Sequence, residues 1–311
     1  MELIPRGPEL IAGVVPDDYR PPESTPQTAI TALAFFLSLD LSGSTALKTR
    51  SDDWAEIIRY FYGQTVEQVH DAEPTFRVWK YIGDEVAFYA FAPSLTVLPN
   101  WVSSGFRCER SILAALERKF PAVKSRISIK GISWIAPITG YVAVPEALDP
   151  ATMLELKRSA ADLKAKDLMF RDIRGNVDFI GPNIDAGFRL ARFARPLQLT
   201  VSPALAYYFL RGAKRTNDLR IVGFESLKGV AKGELYPAIW YHENWERVGS
   251  DFRYTDRFTD DIVQRVCAGR HESIELLDEV KIAFGDDYYF FEVDMLERLV
   301  KASVPFISRL A

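Results

Sequence analysis

The stretch FLSLDLSGST, residues 36–45, determines how the fold begins. Apolar side chains alternate with a period near two from Leu33 to Asp40, which predicts a strand that ends at this aspartate. The turn at residues 43–45 follows, and the polar residues 51–53 supply N-cap groups for a helix. The sequence therefore opens with a strand–turn–helix unit that places a carboxylate at the end of the strand.

A second stretch, KYIGDEVAFY at residues 80–89, also carries an acid beside a glycine. Two apolar runs flank Gly83 and Asp84, which predicts a β-hairpin from Phe76 to Phe91. Either acid alone would be an ordinary solvated turn residue. Asp40 and Asp84 together offer hard oxygen ligands at the ends of adjoining strands, and such ligands favour magnesium or manganese over zinc. The pair therefore predicts a site for two divalent cations, Mn²⁺ or Mg²⁺.

The overall composition is that of a globular protein. The chain has 311 residues, 48% of them hydrophobic and 26% charged, and 38 basic against 42 acidic side chains give a formal charge of −4. Without a basic field we expect no nucleic-acid partner. Two cysteines are too few for a disulfide framework or a zinc cluster. No apolar run approaches the roughly 20 residues of a membrane span, so we expect a cytoplasmic protein without direct membrane contact.

Three regions follow from the distribution of residue types. Prolines concentrate in residues 1–27, which predicts an extended or disordered N-terminal arm. Residues 28–245 hold the motifs and form the predicted catalytic domain, and residues 246–311 are predicted as a C-terminal helical extension. Within the middle region the patterns predict the following elements: a helix at 104–120, a charged helical stretch at 143–170, a helix opened by 176–181 and running to 195, and strands near 127–135, 197–201, 219–222 and 235–241.

A third motif, DFIGPNIDAGFRL at residues 178–190, completes a set. With the three motifs in this order and spacing, residues 33–243 resemble the class III adenylyl/guanylyl cyclase catalytic domain. That family has the pattern acid-x-x-Gly-x-x-aliphatic-Asn-x-small-x-Arg-Leu, and this chain meets every position except the Asn, where Asp185 stands. The resemblance implies an α+β sandwich, with a mainly antiparallel sheet covered by helices.

The resemblance also implies a role for the first two motifs. In the family the two aspartates, here Asp40 and Asp84, bind both metal ions, and the carbonyl of Leu41 is a further ligand. A glycine-containing turn that enters a helix points unpaired N–H groups at an anion. The amides that would cradle the β- and γ-phosphates are those of residues 41–45, including Gly43, Ser44 and Thr45.

The third motif supplies the remaining groups implied by the resemblance. Arg189 matches the arginine that stabilises the transition state, where charge gathers on the α-phosphate. Asp185 replaces the asparagine that orients the ribose. Lys80 and Asp178 occupy the two positions that read the base, and a lysine donor with a carboxylate acceptor can read adenine, uracil or cytosine.

Two phosphate-binding positions each have two candidates. Arg171 precedes Asp178 by seven residues, where the family carries a triphosphate-binding arginine, and Arg174 is the alternative. Lys228 matches the late phosphate lysine of the family, and Lys232 takes that place if two extra residues precede it.

Residues 181–194 also look like the corresponding helix of bacterial pyrimidine cyclases, the Pycsar anti-phage enzymes that make cyclic UMP or cyclic CMP. This resemblance favours a uridylate cyclase that converts UTP to cyclic UMP, with a cytidylate or an adenylate cyclase as alternatives. It further implies a head-to-tail homodimer with shared sites and a separate effector protein that senses the product. Because Asp185 departs from the pattern, a catalytically silent nucleotide-binding or dimerisation module is the non-enzyme alternative.

Overall fold

The computed structural model describes residues 27–143, 150–162, 165–172, 175–212, 218–227, 235–245 and 293–310. Residues 1–26 of the predicted N-terminal arm and residues 246–292 of the predicted helical extension lie outside these ranges, whereas Gln27 is the first residue of a strand. Three candidate phosphate-binding residues also lie outside them, namely Arg174, Lys228 and Lys232.

One mixed sheet organises the described residues, and its spatial order is β2-β3-β1-β4-β7-β9-β8, with β5 beside β4 and β6 beside β5. Only the β4–β5 and β4–β7 pairs are parallel, and the other pairs are antiparallel. The α+β fold expected from the sequence, with a mainly antiparallel sheet covered by helices, is therefore confirmed. The strands are β1 (Gln27–Ser42), β2 (Arg77–Ile82), β3 (Glu85–Phe91), β4 (Ser128–Ala143), β5 (Asp167–Arg171), β6 (Val177–Ile180), β7 (Leu199–Val201), β8 (Leu219–Ser226) and β9 (Leu235–Tyr241).

Eight helices pack on this sheet within the described ranges, and 3₁₀ turns extend several of them. In that part of the chain no helix has the length and apolar character to cross a membrane. The helices are α1 (Ser44–Arg50), α2 (Trp54–Ala72), α3 (Leu98–Lys119), α4 (Pro150–Asp162), α5 (Pro182–Arg189), α6 (Pro203–Gly212), α7 (Val293–Ser303) and α8 (Ile307–Leu310).

The two faces of β1 pack against different partners because successive side chains of a strand point to opposite sides. Phe35 belongs to the face covered by α3, where its ring lies 5.5 Å from that of Trp101. Phe36 belongs to the opposite face, where its ring stacks 5.1 Å from that of Trp134. Ser38 and Asp40 share this second face by their alternation with Phe36. We call it the site face.

The long central strands hold this arrangement in register. β1 pairs with β4 from Gln27↔Ala143 to Ser42↔Ser128, and with β3 from Ala34↔Phe91 to Asp40↔Glu85. Helix α7 packs against α4 and β1, and α8 against β4. Leu310 in α8 approaches Gly140, which pairs with Ile30 near the start of β1. The C-terminal helices therefore contact the end of the sheet that is remote from Asp40.

Several predicted elements differ from the structure between residues 143 and 195. The predicted helical stretch is only α4, and the strand β5 follows it, because Met169 is buried while Leu168 and Phe170 on either side are exposed. That alternation has a period of two and not of 3.6. Residues 177–180 form a strand and not the first turn of a helix. Helix α5 ends at Arg189, short of the predicted residue 195, and α6 was not predicted.

Candidate functional site

A row of three charged side chains crosses the site face. Asp40 on β1 is directly opposite Glu85 on β3 and Lys130 on β4, so the three residues lie side by side on neighbouring strands. Directly paired residues in antiparallel strands point to the same face, with their Cβ atoms about 5 Å apart. Residues separated by 45 and 90 positions in sequence thus become immediate neighbours.

Asp40 is partly buried and has a cationic partner. The Nζ atom of Lys130 lies 2.9 Å from Oδ2 of Asp40. Burial raises the pKa of Asp40, and the charge of Asp84 adds to this effect, while Lys130 and Lys48 oppose it. The carboxylate therefore lies in an environment that favours a cation beside it.

Asp84 lies at the tip of the β2–β3 hairpin, in a two-residue turn. Gly83 adopts φ 64° there, a left-handed conformation that glycine reaches without a steric penalty. The backbone carbonyl of Asp84 accepts a hydrogen bond of 3.0 Å from the Leu41 amide. Its side chain accepts a hydrogen bond from the Ser44 hydroxyl, and Lys48 Nζ lies 3.9 Å from Oδ1. The first two motifs are thus joined by direct contacts.

Leu41 has two backbone groups with different consequences for the predicted site. Its amide is occupied by the Asp84 carbonyl, so it is not available to a phosphate, and the predicted cradle is shortened by this group. In an extended strand the N–H and C=O of one residue point to the same side. The Leu41 carbonyl is therefore directed towards Asp84. Gly43, at φ 89°, precedes helix α1, which begins with Ser44 and Thr45.

Glu85 is a third acid of the site face, outside the residues predicted for the site. The Ser38 hydroxyl donates a hydrogen bond to it on the site face. Burial raises the pKa of Glu85, the Ser38 hydrogen bond and the charge of Lys130 lower it, and the charges of Asp40 and Asp84 raise it further. The sequence does contain a signal for it. Glu85 follows Asp84 directly, and because side chains alternate along a strand, one of two adjacent acids is expected on each face of the sheet.

The Lys80–Asp178 pair is formed within the chain. Oδ1 of Asp178 accepts hydrogen bonds from Lys80 Nζ at 2.7 Å, Trp79 Nε1 at 2.8 Å and the Phe179 amide at 2.9 Å. Burial raises the pKa of Asp178, but these three donors outweigh it and hold the pKa below its usual value. Asp178 is therefore held as an anion whose Oδ1 is fully occupied.

A β-bulge positions the two donors of this pair. The register between β2 and β3 shifts between Val78 and Lys80, which leaves Trp79 as the extra residue. Trp79 is buried and packs on the site face with its ring 5.0 Å from that of Phe179. Because a bulge turns adjacent side chains towards one side, Trp79 and Lys80 can both reach Asp178. No sequence pattern indicated this role for the tryptophan.

Helix α5 carries both predicted catalytic residues, Asp185 and Arg189. The buried carboxylate of Asp167 binds the backbone of its first turn. Asp167 on β5 accepts hydrogen bonds from the Asn183 amide at 2.9 Å and the Ile184 amide at 3.3 Å, and also from the Asn183 side chain. These are amides without helical partners. Asp185 and Arg189 are exposed one turn apart on the same side of α5. Among the described residues neither side chain has a hydrogen-bond or ion-pair partner.

Arg171 lies in a different place from the aspartates. It donates a hydrogen bond of 2.9 Å to the Leu310 carbonyl. It also lines a cavity of about 510 Å³ with Arg77, His70 and the aromatic side chains of β2 and β3. Asp40 and Asp84 are not among the residues that line this cavity. In this single chain the structure therefore does not bring Arg171 together with the predicted metal ligands.

A smaller cavity of about 100 Å³ lies directly on the charged row. Ala191, in the 3₁₀ turn after α5, and Ala194, just beyond that turn, close it. On the sheet side it is lined by Ser38, Asp40, Glu85, Lys130 and Ile132. A polar cavity of this size is large enough to hold ordered water.

The aspartate pair fits divalent cations. Burial and the charge of Asp84 raise the pKa of Asp40, and a metal ion bound there would relieve this cost of ionisation. Within the described ranges no group of three or more His, Cys, Asp or Glu side chains is arranged around one point. Magnesium is usually bound by one or two carboxylates together with water and substrate phosphates. The residues that would hold the ions are Asp40, Asp84 and the carbonyl of Leu41.

Comparisons with known proteins show cyclase domains among structures of similar shape. The adenylyl cyclase CyaB from P. aeruginosa is similar at a TM-score of 0.46 and 15% identity, over 70% of this chain and 97% of that chain. An adenylate cyclase from Trypanosoma brucei is similar at 0.44 and 14%, over 71% and 91%. The guanylate cyclase domain of RhGC from Catenaria anguillulae, in complex with GTP, is similar at 0.38 and 12%, over 69% and 98%. No protein-family model and no curated protein sequence matches this chain. At these identities the likeness concerns shape.

Proposed function

We propose that this chain is a class III nucleotidyl cyclase that converts a nucleoside triphosphate, with UTP favoured, into its 3′,5′-cyclic monophosphate and pyrophosphate. The observation that carries the proposal is the junction of two distant motifs. The Leu41 amide binds the Asp84 carbonyl at 3.0 Å, which joins the two motifs at the end of β1, and the charge of Asp84 contributes to the raised pKa of Asp40. Paired carboxylates at a glycine turn suit a metal-bound triphosphate.

Each motif then has a chemical role. Asp40, Asp84 and the Leu41 carbonyl hold two divalent cations, Mn²⁺ or Mg²⁺. When bound, such ions lower the pKa of the ribose 3′-hydroxyl and neutralise the triphosphate. The amides of Gly43, Ser44 and Thr45 contact phosphate oxygens. Two side chains join them, that of Arg171 or Arg174 and that of Lys228 or Lys232.

The residues of α5 act on the reacting nucleotide. Arg189 presents its guanidinium to the charge that develops on the α-phosphate, and Asp185 accepts a hydrogen bond from the ribose. Both side chains are exposed and without partners among the described residues, as expected of groups that await a substrate. Asp185 and Arg189 are four residues apart, so they lie one turn apart on one face of α5 and can act on the same nucleotide.

The Lys80–Asp178 pair reads the base. Lys80 is a donor, and no hydrogen bond from the described residues reaches Oδ2 of Asp178, which leaves one carboxylate oxygen as an acceptor. A donor with an acceptor matches a carbonyl and the adjacent ring N–H of uracil. The same pair suits cytosine and adenine through their exocyclic amines, so cytidylate and adenylate cyclases are the alternatives.

The decisive assay is product identification. The purified chain is incubated with each of the four nucleoside triphosphates and Mn²⁺, and the products are identified by liquid chromatography and mass spectrometry. We expect cyclic UMP to predominate. Predominant cyclic AMP would replace the pyrimidine proposal by the adenylate one, and cyclic CMP by the cytidylate one.

A head-to-tail homodimer is part of the proposal. Leu168, Phe170 and Ile180 are exposed around Asp178 on the outer side of the β5–β6 hairpin, and such a patch is typical of an interface. In a dimer of this kind the two metal-binding aspartates of one subunit face the Arg189 of the other. A subunit without the metal-binding aspartates can therefore form one complete site with a partner that lacks Arg189.

Complementation tests this arrangement. Asp84→Ala and Arg189→Ala are each expected to be inactive. Mixed in equal amounts, they should recover about a quarter of the wild-type activity, because half of the dimers are mixed and each of those has one intact site. A mixture that stays inactive, although sedimentation shows exchange of subunits, would refute shared sites.

The rival outside the enzyme class is a silent nucleotide-binding or dimerisation module, and Asp185 is the residue that favours it. Asp84→Ala separates the two proposals. We expect this variant to fold, by circular dichroism, and to lose product formation. Asp71→Ala on α2 is the matched control, because it removes an exposed acid remote from the site. If wild-type protein binds nucleotide without turnover, the module is the better description.

The biological part of the proposal concerns the fate of the product. We propose that the cyclic nucleotide is a second messenger in bacterial anti-phage defence and is sensed by a separate effector protein. Cells that carry the chain with its effector should lose protection against phage when Asp84 is replaced. Equal plaque counts for wild type and variant would refute this role.

A further inference from the structure

Lys130 is a charged residue of the site that none of the three motifs contains. It lies on β4 directly opposite Asp40, with 2.9 Å between Nζ and Oδ2. The two side chains are only 30% and 23% exposed. Lysine is rarely placed in a half-buried strand without a partner or a function. Its position on the site face is therefore a feature to be explained.

The Lys130 ammonium occupies the position beside Asp40 that a divalent ion would need. Magnesium binds carboxylate oxygens at about 2.0–2.1 Å. An ammonium that stays 2.9 Å from the same carboxylate would lie within a few ångströms of that ion. Repulsion between the two cations is weakly screened in a partly buried site. Asp40 and Lys130 both line the cavity of about 100 Å³ that Ala191 and Ala194 close, so an ammonium that withdrew into it would still lie beside Asp40.

The alternative partners of the Lys130 ammonium are the other anions of the site. Glu85 flanks Asp40 on the side away from Lys130, and it already accepts a hydrogen bond from Ser38. A bound triphosphate would bring about four negative charges to the same site, and its oxygens are good acceptors for an ammonium. The triphosphate is therefore the group best able to accept hydrogen bonds from Lys130 when a metal ion displaces the ammonium from Asp40.

We propose that Lys130 is a resident counter-cation, which holds the place of a divalent ion at Asp40 until metal and triphosphate enter together. This inference rests on the proposed function, because it assigns a positioning role in the same site. In the nucleotide-free chain Lys130 lowers the affinity for metal. In the substrate complex it contacts a phosphate oxygen, so that metal binding and substrate binding are coupled.

Metal titration of the full chain without nucleotide tests the inference. The free Mn²⁺ signal in electron paramagnetic resonance gives the dissociation constant for wild type, Lys130→Met and Lys130→Arg. We expect Lys130→Met to bind Mn²⁺ about tenfold more tightly or better, which is the effect of removing one charge near a divalent ion even in a water-like medium. Lys130→Arg should resemble the wild type.

Lys119→Met is the matched control. Lys119 is an exposed lysine on α3 that pairs with Glu56 at 3.3 Å, remote from the charged row, and its loss should not change Mn²⁺ affinity. In turnover, Lys130→Met should raise the KM for the triphosphate more than it lowers kcat. A purely structural lysine would not produce tighter metal binding together with a higher KM.

The outcomes separate this inference from the proposed function. Unchanged or weaker Mn²⁺ binding by folded Lys130→Met would overturn the role of Lys130, whatever the cyclase activity. If Lys130→Met does not fold, Lys130→Gln supplies the same comparison with a neutral side chain of polar character. If Asp40→Ala leaves Mn²⁺ affinity unchanged and no triphosphate gives a product, the proposed function itself fails.

Discussion

Asp167 is a buried carboxylate that holds the start of helix α5, and Asp167→Ala should destabilise the fold. Its oxygens accept hydrogen bonds from the Asn183 amide at 2.9 Å, the Ile184 amide at 3.3 Å and the Asn183 side chain. Gly181 allows this approach, because a Cβ there would lie 2.2 Å from Oδ1 of Asp167. Alanine leaves these donors without an acceptor in a site from which water is excluded.

The expected loss of unfolding free energy follows from the donors that no longer have an acceptor in Asp167→Ala. Loss of a capping acceptor costs about 1 kcal/mol. A buried donor without a partner costs about 1–3 kcal/mol, and part of that cost is relieved by relaxation. We therefore expect Asp167→Ala to lower the free energy of unfolding by about 3 kcal/mol. At about 2–4 °C per kcal/mol, the melting temperature should fall by roughly 6–12 °C.

Two further variants show whether burial or charge causes the loss of stability in Asp167→Ala. Asp172→Ala removes a carboxylate that also accepts from an asparagine amide, at 2.9 Å, and from the same asparagine's side chain, at 2.8 Å, but at an exposed position. We expect it to cost less than about 0.5 kcal/mol. Asp167→Asn keeps an acceptor for the two amides. Burial raises the pKa of Asp167 despite its hydrogen bonds, so this neutral replacement should cost about 1 kcal/mol or less.

Urea unfolding followed by circular dichroism measures all three variants. Cyclase activity at a temperature where each is folded then reports on the placement of Asp185 and Arg189. If Asp167→Ala and Asp172→Ala lose the same stability, the buried contacts do not hold α5. Such a result would refute the reasoning.

Two further predictions concern other buried groups. Burial raises the pKa of Glu109 well above its usual value, although Arg110 opposes this, and neither carboxylate oxygen has a hydrogen-bond partner among the described residues. Because the folded-state pKa is the higher one, wild-type stability should fall as the pH rises above about 4.5. In urea melts at pH 5–8 the fall should be smaller for Glu109→Gln, since burial also raises the pKa of Glu85 and of Asp167, whereas Glu56→Gln should follow the wild type. Trp79→Phe removes the 2.8 Å hydrogen bond to Asp178 and keeps an aromatic ring; we expect a rise of up to about tenfold in the KM for the nucleotide with little change in kcat, and an unchanged KM would contradict a role in base reading.

The main elements around the first two motifs are predictable from the sequence because their signals are local. Alternating apolar residues before Asp40 and on both sides of Gly83 predict a strand and a hairpin, and both are present. The α2 helix begins where the polar residues 51–53 indicate. In contrast, the sequence patterns predict helix where β5 and β6 lie, because charged residues in 143–170 obscure the alternation around Met169.

The candidate site is only partly predictable for a similar reason. The roles of Asp40, Asp84, Lys80 and Asp178 remain predictions, but the structure joins the first two motifs through the Leu41–Asp84 hydrogen bond and pairs Lys80 with Asp178. Lys130 is a charged residue inside an apolar strand, and that pattern was a usable signal. Trp79 and Asp167 had no comparable signal, because their partners are 99 and 16 residues away in sequence.

The sequence by itself determined which residues end strands, which turns need glycine and which acids stand beside them, since these depend on neighbours within a few positions. Only the tertiary structure decided that Glu85, Asp40 and Lys130 form one row across three strands. It also decided that Trp79 and Lys80 share one oxygen of Asp178. The physical reason is that period-two alternation assigns a side chain to a face of the sheet, whereas strand order and register select its neighbour on that face.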